Sequence, residues 1–491
     1  VYSMRVGATT QHEEGVFIMA GQFARGFSTL TEEMTSDRLS VEGRVPVWLA
    51  GSLLRNGPAQ FEVGPHKYRH WFDGLAMLHR FTFTQGQVSY ANRFIQSPAY
   101  TKAKETGQIS YGEFATDPCR SIFKRVTSVF SAPELGSNTN VSISKLGERF
   151  VALSETPLPV EFDPQTLETV GVIQFNDGLE GLHTTPHPHY DPQRKAGINS
   201  MVHFSARSSY HSYAIKDGET KRTPIATIPV QEPAYMHSFG MTQQYLVLVE
   251  FPLVVNPLQM LASGKPFIEN YHWKPERGTR FLVIDKNDGQ VIHTSTSEAF
   301  FAFHHINAFE RDEEVIIDIA STPDSSIIGS LYLKQLTEPQ ATIPPAAIVR
   351  YTLRLNGSML TAEVISDEAI ELPRINYERN NTRDYQFAYG IGINKQHLDD
   401  FYNQLVKVDV REGTAHTWYE DGCYPGEPVF VAAPDTTGED EGVVLSVVLD
   451  GKLGHSFLLV LDAASFAELA RAQVPHHIPF GFHGIYTRTK A

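Results

Sequence analysis

One local pattern recurs seven times along the chain and limits the folds open to it. A short apolar, β-branched or aromatic run reaches an Asp, Asn or Gln with Gly or a small residue close by, and a second extended run follows. The segments are FTFTQGQVSYANRF (81–94), VEFDPQTLETVGVI (160–173), YAIKDGETKRTPIA (213–226), FLVIDKNDGQVIHT (281–294), YTLRLNGSMLTAEV (351–364), VKVDVREGTAHTWY (406–419) and LLVLDAASFAELAR (458–471). Each reads as a β-hairpin. With Gln85, Asp163, Asp217, Asp285, Asn356, Asp409 and Asp462 as turn markers, the spacings are 78, 54, 68, 71, 53 and 53 residues. A constant hairpin joined by unequal loops is what a radial array of four-stranded blades produces. The expected fold is therefore all-β: a seven-bladed propeller, with loops and short helices forming a dome over one face. Residues 41–491 are assigned to this single domain and residues 1–40 to an N-terminal extension. Helical character is sparse; NKQHLDDFYNQL (394–405) and the N-terminal region are the candidates for short helices or loops.

Charge and cysteine usage narrow the function. The formal net charge of −15 argues against nucleic acid as a partner. Cys119 and Cys423 are the only cysteines, which excludes a disulfide framework and fits a reducing, cytoplasmic compartment. No apolar run reaches the roughly 20 residues of a transmembrane helix. The first residues, VYSMRVGATTQHEEGVFIMAGQ, do not read as a signal peptide.

Four histidines follow a turn marker at nearly constant distance. His187 lies 24 residues after Asp163, His237 20 after Asp217, His304 19 after Asp285 and His483 21 after Asp462. The same position in different blades lies at the same radius, so these side chains are expected to converge on the axis. Successive strand residues face opposite ways, so His304 and His305 cannot both point inward; the offset favours His304. His187 and His189 can share a face, and the spacing leaves that pair open. Four neutral imidazoles suit a divalent transition metal such as iron, zinc, copper or nickel, and structural zinc more commonly uses Cys. Metal-bound imidazoles usually donate their second N–H to a carboxylate or carbonyl. Glu155 (ALSETPLP), Glu371 (AIELPRINY) and Glu427 (YPGEPVFV) stand in apolar, Pro-containing contexts and are the candidates for that task.

The chain resembles the carotenoid cleavage oxygenases, in the branch of the animal β-carotene oxygenases and the retinoid isomerohydrolase. The similarity runs in order through GSLLRNGP (51–58), HWFDGLAMLHRF (70–81), DPCRSIF (117–123), ETPLPVEFDPQTLET (155–169), HPH (187–189), AYMHSFG (234–240), FHHINAFE (303–310), ELPRINY (371–377), AYGIG (388–392), PGEPVFV (425–431), EDEGVVLSVVLD (439–450) and FHGIY (482–486). The resemblance implies a propeller carrying Fe2+ on His187, His237, His304 and His483, with His187 preferred over His189. It pairs Glu155 with His237, Glu371 with His304 and Glu427 with His483, leaving His187 without a carboxylate. The implied reaction is addition of O2 across a conjugated double bond of a carotenoid or apocarotenoid to give aldehydes. Central 15,15′ cleavage of β-carotene to retinal is the favoured case. A retinoid isomerohydrolase on the same iron site is the alternative, and a non-catalytic carotenoid-binding propeller is the alternative of another class.

Phe61, Phe114, Tyr235 and Phe303 are implied to line the substrate tunnel. Phe114 stands where stilbene-cleaving relatives carry a Tyr, which favours an apolar polyene. A substrate of this kind resides in a bilayer, and DPCRSIFKRVTSVF (117–130) sets Ile122, Phe123, Val126, Val129 and Phe130 among basic residues. This is the pattern of an interfacial segment. Peripheral attachment to a membrane surface through an apolar patch is expected.

Overall fold

The computed structural model describes residues 21–117, 136–175, 177–338, 342–357 and 359–488. Its strands form seven sheets around a common axis, besides two small two-stranded ribbons. From the axis outward, the first blade is Gly484–Arg488, Gly51–Gln60, Leu75–Thr84 and Gln87–Phe94. The second is Ser142–Leu146, Arg149–Leu153, Val160–Phe162 and Thr169–Val172. The third starts from His183–Thr184 and His189–Asp191, both paired with Ala196–His203, and continues through Ser209–Lys216 and Thr223–Pro229. The fourth is Gly240–Met241, Tyr245–Glu250, Thr279–Asp285 and Val291–Ser297. The fifth is His305–Arg311, Glu314–Ser321, Ala347–Arg354 and Leu360–Ala369, and the sixth Glu371–Arg374, Phe387–Gly392, Gln404–Asp409 and Ala415–Tyr419. The seventh starts from Cys423–Pro425 and Val429–Ala432 and continues through Gly442–Asp450, His455–Asp462 and Glu468–Gln473.

All seven hairpins expected from the sequence are the outer two strands of a blade. Their turns share a cause. The carboxylates of Asp163, Asp285, Asp409 and Asp462 accept backbone N–H bonds from residues two or three further on, at 2.7–3.0 Å. An Asp side chain mimics a backbone turn in this way. The fourth residue after each Asp donates its N–H to that Asp's carbonyl and sits at positive φ. These residues are Leu167, Gly289, Gly413 and Phe466, so one backbone shape is built from unlike side chains. Gln85 and Gly86, both at positive φ, make the two-residue turn of the first blade.

Middle strands are apolar nearly throughout because neighbouring blades cover both faces. Gly442–Asp450 (GVVLSVVLD) has buried residues at all but three positions, whereas the outermost strand Leu360–Ala369 is largely exposed. Segment 394–403 takes the loop alternative, as a run of turns with Phe401 and Tyr402 buried. Gln22–Phe27, expected within an N-terminal extension, is a 3₁₀ turn whose Phe23 and Phe27 rings pack on Phe401. Thr35–Ser36 and Ser40–Gly43 add to the outer edges of the first and last blades.

The ring closes where Gly484–Arg488 pairs antiparallel with Gly51–Arg55. The strands approach so closely that a Cβ on Gly484 would lie 2.2 Å from the Leu54 carbonyl oxygen. Gly484→Ala should cost about 1–3 kcal/mol through this overpacking and lower the thermal midpoint by several degrees. Differential scanning calorimetry checks it, and an unchanged midpoint would show the closure to be slack.

Candidate metal centre

Each candidate histidine stands where the chain, having left the outer strand of one blade, enters the inner strand of the next. His237 precedes Gly240–Met241, His304 precedes His305–Arg311 and His483 precedes Gly484–Arg488. His187 lies between His183–Thr184 and His189–Asp191. One ring nitrogen of each forms a set whose members all lie within 4.8 Å of one another. His187 Nε2 and His237 Nε2 are 3.2 Å apart, and His304 Nε2 and His483 Nε2 are 3.1 Å apart. Two nitrogens bound at about 2.1 Å to one ion, at right angles, are roughly 3.0 Å apart.

The outer side of the cluster fixes the proton positions. His237 Nδ1 donates to Glu155 Oε1 at 2.7 Å, His304 Nδ1 to Glu371 Oε2 at 2.6 Å and His483 Nδ1 to Glu427 Oε1 at 2.7 Å. A neutral imidazole that donates from Nδ1 presents a bare lone pair at Nε2. Lone pairs facing each other at 3.1 Å repel unless a cation lies between them, so the donor set fits a metal ion. His187 has no carboxylate partner among the described residues.

Burial keeps three of the rings neutral. His187 is pushed well below the ordinary imidazole range, first by burial and then by His483, His237 and His304. Burial also lowers His237 against the opposing pull of Glu155, and brings His483 down to about 3 against that of Glu427. Metal uptake near neutral pH therefore has no proton to displace from these three rings. Burial raises Glu427, but Arg374, His483 and Arg55 outweigh it and hold the carboxylate ionised.

The adjacent histidines have other partners. His305 Nδ1 donates to Ser238 Oγ at 2.7 Å, and that hydroxyl donates to the Phe303 carbonyl at 2.6 Å, stitching the chain beside His237 to the chain beside His304. His189 bonds the Phe239 carbonyl and the Tyr377 hydroxyl and so faces away from the cluster.

Aromatic rings cover the cluster. Phe303 lies 5.3 Å from His237, centroid to centroid, and Phe72 stacks over it at 6.3 Å. Phe72 also touches Phe114, Phe303 and Phe482 at 5.1–5.5 Å. Phe114 reaches Tyr235 at 6.0 Å. Of the four candidate tunnel residues, three therefore join one group of rings. Phe61 is buried against Gly74, in the same apolar core as Tyr235 and Phe303. Tyr235 is fully buried and its hydroxyl bonds Glu155, so it helps to anchor the carboxylate behind His237. Sequence reasoning missed Phe72, although HWFDGLAM contains it: a Phe between a Trp and an Asp carries no mark of where its ring points. A cleft of about 470 Å3, lined among others by Leu158, Leu182, Phe204 and Arg222, opens nearby. Phe204, Phe267, His183 and Tyr235 form a line of rings from it toward His237, with centroids 5.1–6.4 Å apart. Ile122, Phe123, Val126, Val129 and Phe130 lie outside the described residues.

A seven-bladed propeller with a four-imidazole centre on its axis is the class that this fold and site define. The sequence profile of the retinal pigment epithelial membrane protein (RPE65) family matches residues 27–488. The chain belongs to this family, the carotenoid cleavage oxygenases. It is 35% identical to the mitochondrial carotenoid-cleaving dioxygenase of Mustela putorius furo, over 91% of this chain and 93% of that one. It is 34% identical to the carotenoid isomerooxygenase of Galleria mellonella, over 91% and 92%. A variant of Synechocystis apocarotenoid oxygenase shares the fold with a TM-score of 0.85 at 24% identity, over 95% of this chain and 98% of that one.

A carboxylate behind a metal-bound imidazole typically contributes 10–100-fold to affinity. Glu371→Gln should weaken cobalt(II) binding to the apoprotein by about that factor, read by calorimetric titration. Binding equal to the wild type would remove Glu371 from the centre.

Proposed function

We propose that the protein is an Fe2+-dependent dioxygenase that cleaves a conjugated double bond of a carotenoid or apocarotenoid with O2 to give aldehydes. The observation that carries this function is the convergence of four lone-pair nitrogens under a cover of aromatic rings. The names of the relatives, carotenoid-cleaving dioxygenase and carotenoid isomerooxygenase, support the substrate class. In this reaction His187, His237, His304 and His483 are the iron ligands, and Glu155, Glu371 and Glu427 orient the last three. A ferrous ion held there supplies the one-electron chemistry by which O2 is activated.

The chain's own residues do the rest by position. Phe72, Phe114 and Phe303 form an apolar wall that holds one double bond over the centre and excludes water. Addition of both oxygen atoms across a double bond moves no proton, so the reaction needs no general acid or base. The carboxylates around the imidazoles are already committed: Glu155 to His237 and Tyr235, Glu371 to His304 and the Leu372 N–H, Glu427 to His483 and two arginines. The bond assigned is the central 15,15′ bond of β-carotene.

The protein is incubated aerobically with β-carotene and the aldehydes are identified. Retinal is the expected product; longer apocarotenals would move the cut off centre, and no aldehyde would reject the dioxygenase. His304→Ala should lose iron and cleavage together. An iron-replete, active variant would reject the ligand assignment.

Attachment to a membrane surface belongs to the same proposal. No helix of the described residues is long and apolar enough to cross a membrane. Helix Pro257–Ser263 exposes Leu258 and Leu261. The chain just beyond it runs beside Phe114, since the Ile268 N–H bonds the Phe114 carbonyl at 3.0 Å. The apolar and basic segment 117–130 follows Phe114 closely in the sequence. An apolar contact is insensitive to ionic strength. Sedimentation with vesicles should persist in moderate salt, and release by salt would contradict an apolar attachment.

A further inference from the structure

The three carboxylates behind the imidazoles are not equivalent. Glu155 and Glu371 are bonded by neutral donors, whereas Glu427 is gripped by two guanidiniums. Arg55 Nη1 bonds its Oε2, and Arg374 Nε bonds its Oε1 at 2.7 Å. Both guanidiniums also reach the backbone around His483: Arg55 Nη2 donates to the Phe482 carbonyl at 2.8 Å, and Arg374 Nη2 donates to the Gly484 carbonyl. The Gly484 N–H completes the set on Glu427 Oε2 at 2.9 Å. Glu427 is completely buried and Arg55 is 5% exposed. Both arginines meet Glu427 on the Nδ1 side of His483, and the cleavage reaction gives neither a task.

A charge count suggests one. Counted formally, the four imidazoles contribute nothing, the three carboxylates −1 each and the two guanidiniums +1 each, which gives the centre one net negative charge before any ion is bound. A divalent ion brings it to +1 and a trivalent ion to +2. Without one arginine the divalent centre is neutral and the trivalent form is easier to reach. Glu427 and Arg55 are buried deeply enough to be weakly screened, and the partly exposed Arg374 is screened more. Resting on the iron centre proposed above, we propose that Arg55 and Arg374, by the positive charge they set against Glu427 behind His483, hold the iron in its ferrous form. The couple they bias transfers one electron: the ferrous ion loses it and an external oxidant gains it.

The test uses Arg374, whose side chain is 28% exposed and tolerates change better than that of Arg55. The midpoint potential of the iron-loaded protein is measured by mediated titration with ferricyanide and dithionite, following the ferric signal by electron paramagnetic resonance. In Arg374→Gln, the ferric-to-ferrous ratio at a fixed potential should rise by about tenfold, equivalent to a fall of about 59 mV for one electron. Arg374→Lys keeps the charge and should stay close to the wild type. Cobalt(II) affinity of the Gln variant should equal or exceed the wild-type value, because a positive charge has been removed; a purely structural role predicts its loss. A wild-type potential in Arg374→Gln, or loss of its cobalt, overturns the inference while leaving the iron centre standing. Wild-type protein that binds neither iron nor cobalt overturns the iron centre itself, so the two failures are distinct.

Discussion

The antiparallel pairing of Gly484–Arg488 with Gly51–Arg55 is the interaction on which the site depends. It joins the last segment of the chain to the first blade and sets His483 beside His304, a residue 179 positions earlier. The Asn56 N–H bonds the His483 carbonyl and the His483 N–H bonds the Val141 carbonyl, so the first and second blades both grip this histidine. Apolar burial reinforces the closure: Leu53, Phe81, Phe83 and Tyr90 of the first blade share a core with Val443, Leu445, Leu458 and Val460 of the seventh. Four imidazoles from separate blades meet only when this circle is complete.

Electrostatics then decides what the meeting point can hold. Bringing four imidazoles together in a dry interior favours their neutral form, and three carboxylates orient three of them by accepting the Nδ1 protons. Carboxylates in such a place are costly unless well bonded. Glu427 meets this condition with two arginines and a backbone N–H, and Glu155 with Tyr235. The same bonds stiffen the ligands, so the centre is organised before an ion arrives. The rings of Phe72, Phe303 and Phe482, packed beside the cluster, offer no polar group. The centre thus combines polar, fixed ligands with apolar neighbours.

Much of this was legible in the sequence because blades repeat. A turn marked by Asp recurs wherever a carboxylate can take the place of a backbone acceptor, and the distance from that turn to the next inner strand is fixed by the length of one outer strand and one connection. That geometry made His187, His237, His304 and His483 fall into phase. The hairpins at Asp163, Asp285, Asp409 and Asp462 were read correctly although Leu, Gly, Gly and Phe fill the same left-handed position; the Asp carried the signal. The histidine pairs were harder. Strand alternation separated His304 from His305, but His187 and His189 lie on the same parity, and the difference between them comes from the Phe239 carbonyl and the Tyr377 hydroxyl, which hold His189 aside.

The sequence by itself determined the number of blades, the all-β class and the phase of the four histidines, because these follow from spacings along one chain. Only the tertiary structure decided which aromatic rings face the centre, that Tyr235 anchors Glu155, and that Arg55 and Arg374 converge on Glu427 from positions 372 and 53 residues away. Side chains so far apart are brought together by the closing of the ring and by the stacking of blades. Neither leaves a local pattern, since a buried Phe or Arg reads alike whether it packs a blade or borders a metal.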